Sequence, residues 1–309
     1  MNVNSMRDRF ATVASQLLDE DERVAVVLAE ISMDRFRATG APARHPARVI
    51  NVGIREQLLV NVAAGMALEG MRPIAHTFAP FLVERAFEQV KLGFSHQGVA
   101  GVLVSAGASY DEAGYGRTHG APEDVALVGA LPGWRIDVPG HADEVEALLR
   151  DAARSDAPVY IRLSERPNAR PYGTADGRLT TLRAGGAGAP AVIAVGPTAD
   201  AVLEATAGVD ATVLYAATVR PFDAEGLRAA LRGSEVVLVE PYLQGTSASE
   251  VTGALGDRPI RLLSIGVPRA EDRHYGRAAR HDAANGLDAA GLRARINAWL
   301  DAGIPAAAV

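Results

Sequence analysis

The 309-residue chain contains no cysteine, which excludes disulfides, thiolate catalysis, cysteine-zinc sites and iron–sulfur clusters, and fits a reducing cytoplasm. Long hydrophobic runs are missing too. No stretch of about 18 apolar residues could span a bilayer, and the opening MNVNSMRDRF lacks the apolar centre of a signal peptide. There is no excess of positive charge: 31 Lys+Arg stand against 37 Asp+Glu, for a net charge of -6. Phosphate binding needs a basic surface, so no nucleic-acid partner is expected. The chain contains no GxxxxGK[ST], HExxH, EF-hand loop or GxSxG. Its 7 histidines, at positions 45, 76, 96, 119, 141, 274 and 281, include no pair at metal-ligand helix spacing, which disfavours metal-only hydrolysis. The expectation is a soluble cytoplasmic protein with neither a membrane nor a nucleic-acid partner.

What is present is an ordinary globular balance, 48% hydrophobic and 22% charged, on a chain long enough for about two domains. Residues 1–168 alternate short apolar runs with helical patterns, a rhythm that implies a parallel sheet covered by helices. Strands are expected at 24–31, 49–52, 74–78, 102–105, 136–138 and 159–163. Helices are expected around 10–18, 55–68, 82–94, 123–131 and 142–153. From 167 to 190 the pattern dissolves into PNARPYGTADGR and GGAGAP, in which no regular element is expected, so 169–190 reads as an interdomain linker. A second series follows over 191–309, with strands at 191–195, 212–215, 236–239 and 261–265. The fold class is therefore α/β, with two successive domains, each a mostly parallel sheet flanked by helices.

Ligands of open α/β sheets bind outside the carboxyl ends of the strands. That rule singles out Glu30 after the first strand, Glu56 after the second, the stretch from His76 to Phe81 around the third, and the loop GASYDEAGYGRTHG over 107–120, which ends near His119. Glu56 leads an apolar helix, where a carboxylate is also explained by the helix dipole at about 0.3–1 kcal/mol. The loop has no secondary structure of its own in this reading, and connectors of that length are often functional. His119 has the chemistry of an acid, base or hydrogen-bond donor near neutral pH. Glu240, His274 and His281 read as solvated surface groups.

These segments resemble a known family. Asn51-Val-Gly-Ile-Arg-Glu-Gln, the following AAGMALEGMRPIAHTFAPFLVERAFEQV, and YGRTHGAPEDVALVGALPGW together resemble the pyrimidine-binding domain of transketolase-like, thiamine diphosphate-dependent enzymes. AVIAVGPTADAVL through ATVRPFD to SIGVP resembles the C-terminal domain that follows it. The resemblance implies that Glu56 hydrogen-bonds N1′ of the cofactor's aminopyrimidine and promotes the imino tautomer that deprotonates the thiazolium carbon. It implies that Phe81 stacks on the same ring and that His119 lies near the reacting carbon. Glu30 corresponds to an acidic residue after the first strand, while His76, Tyr115 and Arg117 are candidate substrate contacts.

The chain departs from the family pattern at several points. Where transketolases carry an acidic pair before the glycine of the histidine loop, Gly114 and Tyr115 stand here, so ordinary pentose-phosphate specificity is not implied. A second aromatic one turn after Phe81 is replaced by Glu84 or Arg85. The Gly-Asp-Gly that holds Mg²⁺ and the diphosphate in this family does not occur. The resemblance therefore implies half an active site. The chain would pair with a separate diphosphate-binding subunit in an assembly such as α2β2, with thiamine diphosphate between the chains and Mg²⁺ held mainly by the partner. The expected reaction is transfer of a two-carbon ketol unit, or a related carbon–carbon ligation, on small keto and aldehyde substrates. Two other readings remain: the β subunit of a 2-oxo acid dehydrogenase first component, and a non-catalytic scaffold subunit.

Overall fold

The computed structural model describes residues 5–303. The first four residues of the first expected domain and the last six of the second lie outside that range. Six strands of the first block, β1 (Val24–Leu28), β2 (Val49–Asn51), β3 (Arg72–Phe78), β4 (Val102–Ala106), β5 (Arg135–Asp137) and β6 (Val159–Arg162), pair in parallel. Strands β1 and β4 are buried along their whole length. That is why they read as continuous apolar runs rather than alternating ones.

Helices cover both faces of this sheet. Helix Met6–Glu20 is capped by Ser5, whose hydroxyl accepts from the Asp8 N–H at 3.4 Å. It buries Phe10, Val13, Leu17 and Leu18 against Val26, Leu28, Ile74 and Val104. On the other face, helix Glu56–Leu68 buries Leu59, Val60, Ala63 and Ala64 against Val27, Ala75 and Leu103.

The second block contains β7 (Thr180–Arg183), β8 (Ala191–Val195), β9 (Thr212–Ala216), β10 (Thr218–Arg220), β11 (Glu235–Leu243) and β12 (Arg261–Val267). Five of these strands form a sheet in the order β12-β11-β8-β9-β7, parallel except for β7. The sixth, β10, crosses over and pairs antiparallel with β5, giving a seven-stranded first sheet in the order β10-β5-β6-β4-β3-β1-β2. Thr218 Oγ1 donates to Asp137 Oδ1 at 2.7 Å across that join. One apolar core runs through both sheets, from Leu103 and Ile136 to Ile193, Leu214 and Leu238.

The structure corrects four expectations. The stretch 169–190 is not without regular structure, because it contributes β7, an edge strand on β9. Its turns are held by carboxylates: Glu144 accepts from the Tyr172 and Gly173 N–H groups, and Asp223 from Leu179 N–H. The 107–120 loop carries a 3₁₀ segment, Ala113–His119. The helix expected over 82–94 is two π-helical stretches, Pro80–Arg85 and Lys91–His96, around a single α turn. Finally, Glu240 and His281 are buried, whereas His274 is exposed.

Candidate active site

The chain runs from β1 outward to β2 and then returns to β3 on the other side of β1. That reversal makes the carboxyl ends of β1 and β3 the topological switch point of the sheet, where α/β folds bind ligands. The backbone there is constrained: Glu30 and Ser32 adopt φ of 66° and 63°, values costly for residues other than glycine and concentrated at functional sites. Asn51, the last residue of β2, ties the turn together. Its Oδ1 accepts from the Glu30 and Gly53 N–H groups at 3.1 and 3.0 Å, and its Nδ2 donates to Glu30 Oε2 at 3.1 Å. Glu30 itself is exposed at the rim.

Glu56 opens the helix that follows, with no side-chain cap preceding it. Its side chain is 2% exposed and accepts a hydrogen bond from Arg85 Nη1 at 2.7 Å. The same guanidinium lies over the Phe81 ring, 4.1 Å from its centroid. Phe81 in turn meets His119 edge-on at 5.0 Å and Phe78 at 6.2 Å. Tyr115 lies against the same imidazole, with ring centroids 4.7 Å apart. A continuous chain of contacts thus joins Glu56, Arg85, Phe81, His119 and Tyr115. Thr118 Oγ1 stands 3.0 Å from His119 Nδ1, which leaves Nε2 as the ring nitrogen available to a ligand.

His76 is not part of this set. It is fully buried in β3 beside Phe10, with Nδ1 2.8 Å from the Val104 carbonyl and Nε2 2.9 Å from Ser32 Oγ. Burial and the nearby Arg7 cation push its pKa down to about 3, so it is a neutral structural group. The expectation that His76 contacts substrate is corrected: both ring nitrogens are occupied and no surface of the ring is open. Arg117 also points away. It donates to the Gly120 carbonyl and Glu123, with Glu271 3.8 Å distant, and lines a cavity of about 540 Å³ between the 107–123 loop and residues 267–285. None of Glu56, Phe81 and His119 borders that cavity; Glu56 is buried, and Phe81 and His119 are partly exposed.

The sequence reading covered Phe78 only as part of the stretch from His76 to Phe81, with no role of its own, although its ring lies 5.6 Å from His119, and it gave Arg85 no role. The spacing of Arg85 four residues after Phe81 was the available signal, since side chains one helical turn apart share a face.

The chain's residues 3–170 match the family model "Transketolase, pyrimidine binding domain". The chain belongs to the transketolase family. It is 49% identical over 303 residues to an "Uncharacterized 33.6 kDa protein in fasciation locus" of Rhodococcoides fascians, covering 97% of this chain and 96% of that one. It is 31% identical over 278 residues to "6-deoxy-6-sulfo-D-fructose transketolase subunit SqwH" of Clostridium sp. (strain MSTE9), covering 85% and 84%. Among solved structures, "Split gene transketolase, inactive beta4 tetramer" superposes with a TM-score of 0.81 at 28% identity, covering 95% of this chain and 97% of that chain. This transketolase-family chain therefore has the two-sheet α/β architecture of a split-gene subunit, and its family implies dependence on thiamine diphosphate. Among the described residues, no helix is long and apolar enough to cross a membrane.

The pyrimidine half of that cofactor fits the residues present. A buried carboxylate and a half-buried phenyl ring already hold a planar, nitrogen-rich cation between them in the form of the Arg85 side chain. For the diphosphate and Mg²⁺, no group of three His, Cys, Asp or Glu among the described residues is placed to hold a metal ion.

Proposed function

We propose that this chain is the pyrimidine-binding subunit of a split, thiamine diphosphate-dependent transketolase-like enzyme of the cytoplasm, which transfers a two-carbon ketol unit or catalyses a related carbon–carbon ligation. The observation that carries this reading is the buried Glu56 joined through Arg85 to Phe81 and His119. Residues up to 168 form the pyrimidine-binding unit and residues from 191 the C-terminal unit, joined through 169–190.

Thiamine diphosphate, when bound, supplies the nucleophilic carbon and the electron sink needed to make or break a bond beside a carbonyl. Glu56 holds the proton at the aminopyrimidine edge, in a position shielded from water where a shared hydrogen bond is strong. Phe81 offers a ring face for stacking, worth about 0.5–1.5 kcal/mol beyond area burial. His119, held through Nδ1 by Thr118, directs Nε2 chemistry to a substrate hydroxyl or carbonyl, and Tyr115 borders it. Glu30 at the rim is a further candidate contact, and Arg117 acts at most through the loop it braces.

The diphosphate and Mg²⁺ would be held by a separate diphosphate-binding subunit in an α2β2-type assembly. Support comes from the missing Gly-Asp-Gly and from the apolar surface around the Glu56 helix. Ile54, Leu58, Leu68 and Leu92 are 72%, 42%, 55% and 46% exposed, and a helix apolar on both faces belongs in a buried position. The test is to co-express the chain with a diphosphate-domain subunit and assay cofactor-dependent ketol transfer from keto donors to aldehyde acceptors. Activity in the pair and none in either chain is expected. No activity in the pair, or full activity from this chain alone, would overturn the split-enzyme reading.

A further inference from the structure

The Arg85 side chain joins the two groups to which the proposed function assigns the aminopyrimidine. Its Nη1 bonds Glu56 Oε2 at 2.7 Å while its guanidinium carbon stands 4.1 Å above the Phe81 ring. A guanidinium and an aminopyrimidine share a shape and a mode of contact here: both are flat, both meet the Glu56 carboxyl edge-on through a nitrogen, the guanidinium donating and the ring nitrogen N1′ accepting, and both stack on an aromatic face. An ordinary surface ion pair needs neither a buried carboxylate nor a ring beneath the cation, and this pair has both.

Resting on that reading of the site, we propose that Arg85 is a built-in stand-in for the cofactor's aminopyrimidine, filling the space between Glu56 and Phe81 in the empty subunit and swinging out when the cofactor enters. Three further features support the exchange. A carboxylate that is 2% exposed needs a counter-charge, because an unpaired buried charge is costly; Arg85 provides one in the cofactor-free subunit, and with the cofactor bound the proton shared with N1′ takes that place. The Arg85 side chain is 40% exposed against that 2%, so the cation covers the carboxylate from the solvent side and has an open path outward. Its backbone is anchored, since the Arg85 carbonyl accepts from Gln57 Nε2 at 3.3 Å, so the movement needs only the side-chain torsions. Phe81 and Arg85 lie on one π-helical stretch, Pro80–Arg85, a rare backbone form concentrated at functional sites.

The consequence is a competition. The cofactor binds only the fraction of molecules in which Arg85 has left, so its apparent dissociation constant is raised by that fraction. The test is equilibrium binding of thiamine diphosphate with Mg²⁺ to the assembled pair, comparing the native chain with Arg85→Ala, Arg85→Gln and Arg85→Lys. Removing the competitor is expected to tighten binding by about tenfold in the first two variants and less in Arg85→Lys, which keeps the charge but loses the planar stack. In the empty native pair, the Arg85 Hε proton signal is expected to be shifted by the Phe81 ring and to lose that shift on addition of cofactor. Unchanged or weaker binding in both Arg85→Gln and Arg85→Lys, or an Hε signal that ignores the cofactor, would overturn the proposal; either variant suffices should Arg85→Ala fail to assemble. Failure of the underlying site reading looks different: Glu56→Gln and Phe81→Ala would then leave cofactor binding unaltered, whatever Arg85 does.

Discussion

Two buried glutamates, one beyond a strand of the first sheet and one within a strand of the second, show how the same side chain becomes a site in one place and a brace in another. Glu240 in β11 is fully enclosed, and both carboxyl oxygens are taken by its own chain: Oε2 accepts from Gly245 N–H at 2.8 Å and Oε1 from Ser247 N–H at 2.7 Å. Glu56 is nearly as buried, yet its partner is a single half-exposed arginine lying on an aromatic ring. What distinguishes the two is therefore exchangeability rather than burial. Backbone N–H groups fixed in a turn cannot leave, whereas a guanidinium on a flexible stem can.

The largest effect expected from breaking this contrast is catalytic. Glu56→Gln is expected to lower turnover of the reconstituted pair by roughly 10²–10⁴-fold, the usual range for a proton-handling group, with assembly intact by sedimentation. Glu240→Gln is expected to stay within about twofold. Equal losses at both positions would remove the distinction.

The second effect is on stability. Burial pushes the Glu240 carboxyl up to about 7 from an ordinary 4.5, against the pull of the Ser247 and Gly245 donors. A raised folded value means that the folded state binds the proton more tightly than the unfolded one. The favourable contribution is thus fully present below about pH 4.5, declines as pH rises, and is gone above about pH 7, a span of about 3 kcal/mol. Chemical denaturation of native protein and Glu240→Gln across this window is expected to show that decline only in the native chain. Parallel curves would contradict it.

The histidines repeat the contrast at a smaller scale. His76→Ala is expected to destabilise the fold by about 2–3 kcal/mol, because it orphans the Val104 carbonyl and the Ser32 hydroxyl and empties space beside Phe10. His119→Ala is expected to change stability by less than about 0.5 kcal/mol while reducing turnover. A binding effect is expected at Phe81→Ala, a roughly three- to tenfold weaker hold on thiamine diphosphate from loss of the stack. Binding isotherms would measure it, and an unaltered constant would remove Phe81 from the site.

The sequence announced what burial on both faces dictates. The strands of the first sheet and the helix from Glu56 were legible because apolar runs such as VAVVL have few other places to go. Strands β7 and β10 were not, since TTLR and TVR carry no apolar pattern and owe their extended form to pairing with β9 and β5. The π-helical stretches escaped for a related reason: a shift in backbone hydrogen bonding leaves no mark on side-chain period. Glu56, Phe81 and His119 were singled out from the strand-end rule and the family resemblance. That same rule also nominated His76, because its position at a strand end does not reveal which face the ring takes. Arg85 stood four residues from Phe81 in plain view, but only the folded chain shows its guanidinium over the ring and against the carboxylate.

The most direct measurement of the central claim is equilibrium dialysis of thiamine diphosphate and Mg²⁺ against this chain, against the diphosphate-binding subunit and against their mixture. Firm, stoichiometric retention by the mixture, with little by either chain, is the predicted result. Retention by this chain alone as firm as that by the mixture would contradict the account, because it would mean that the diphosphate half of the site does not come from another subunit.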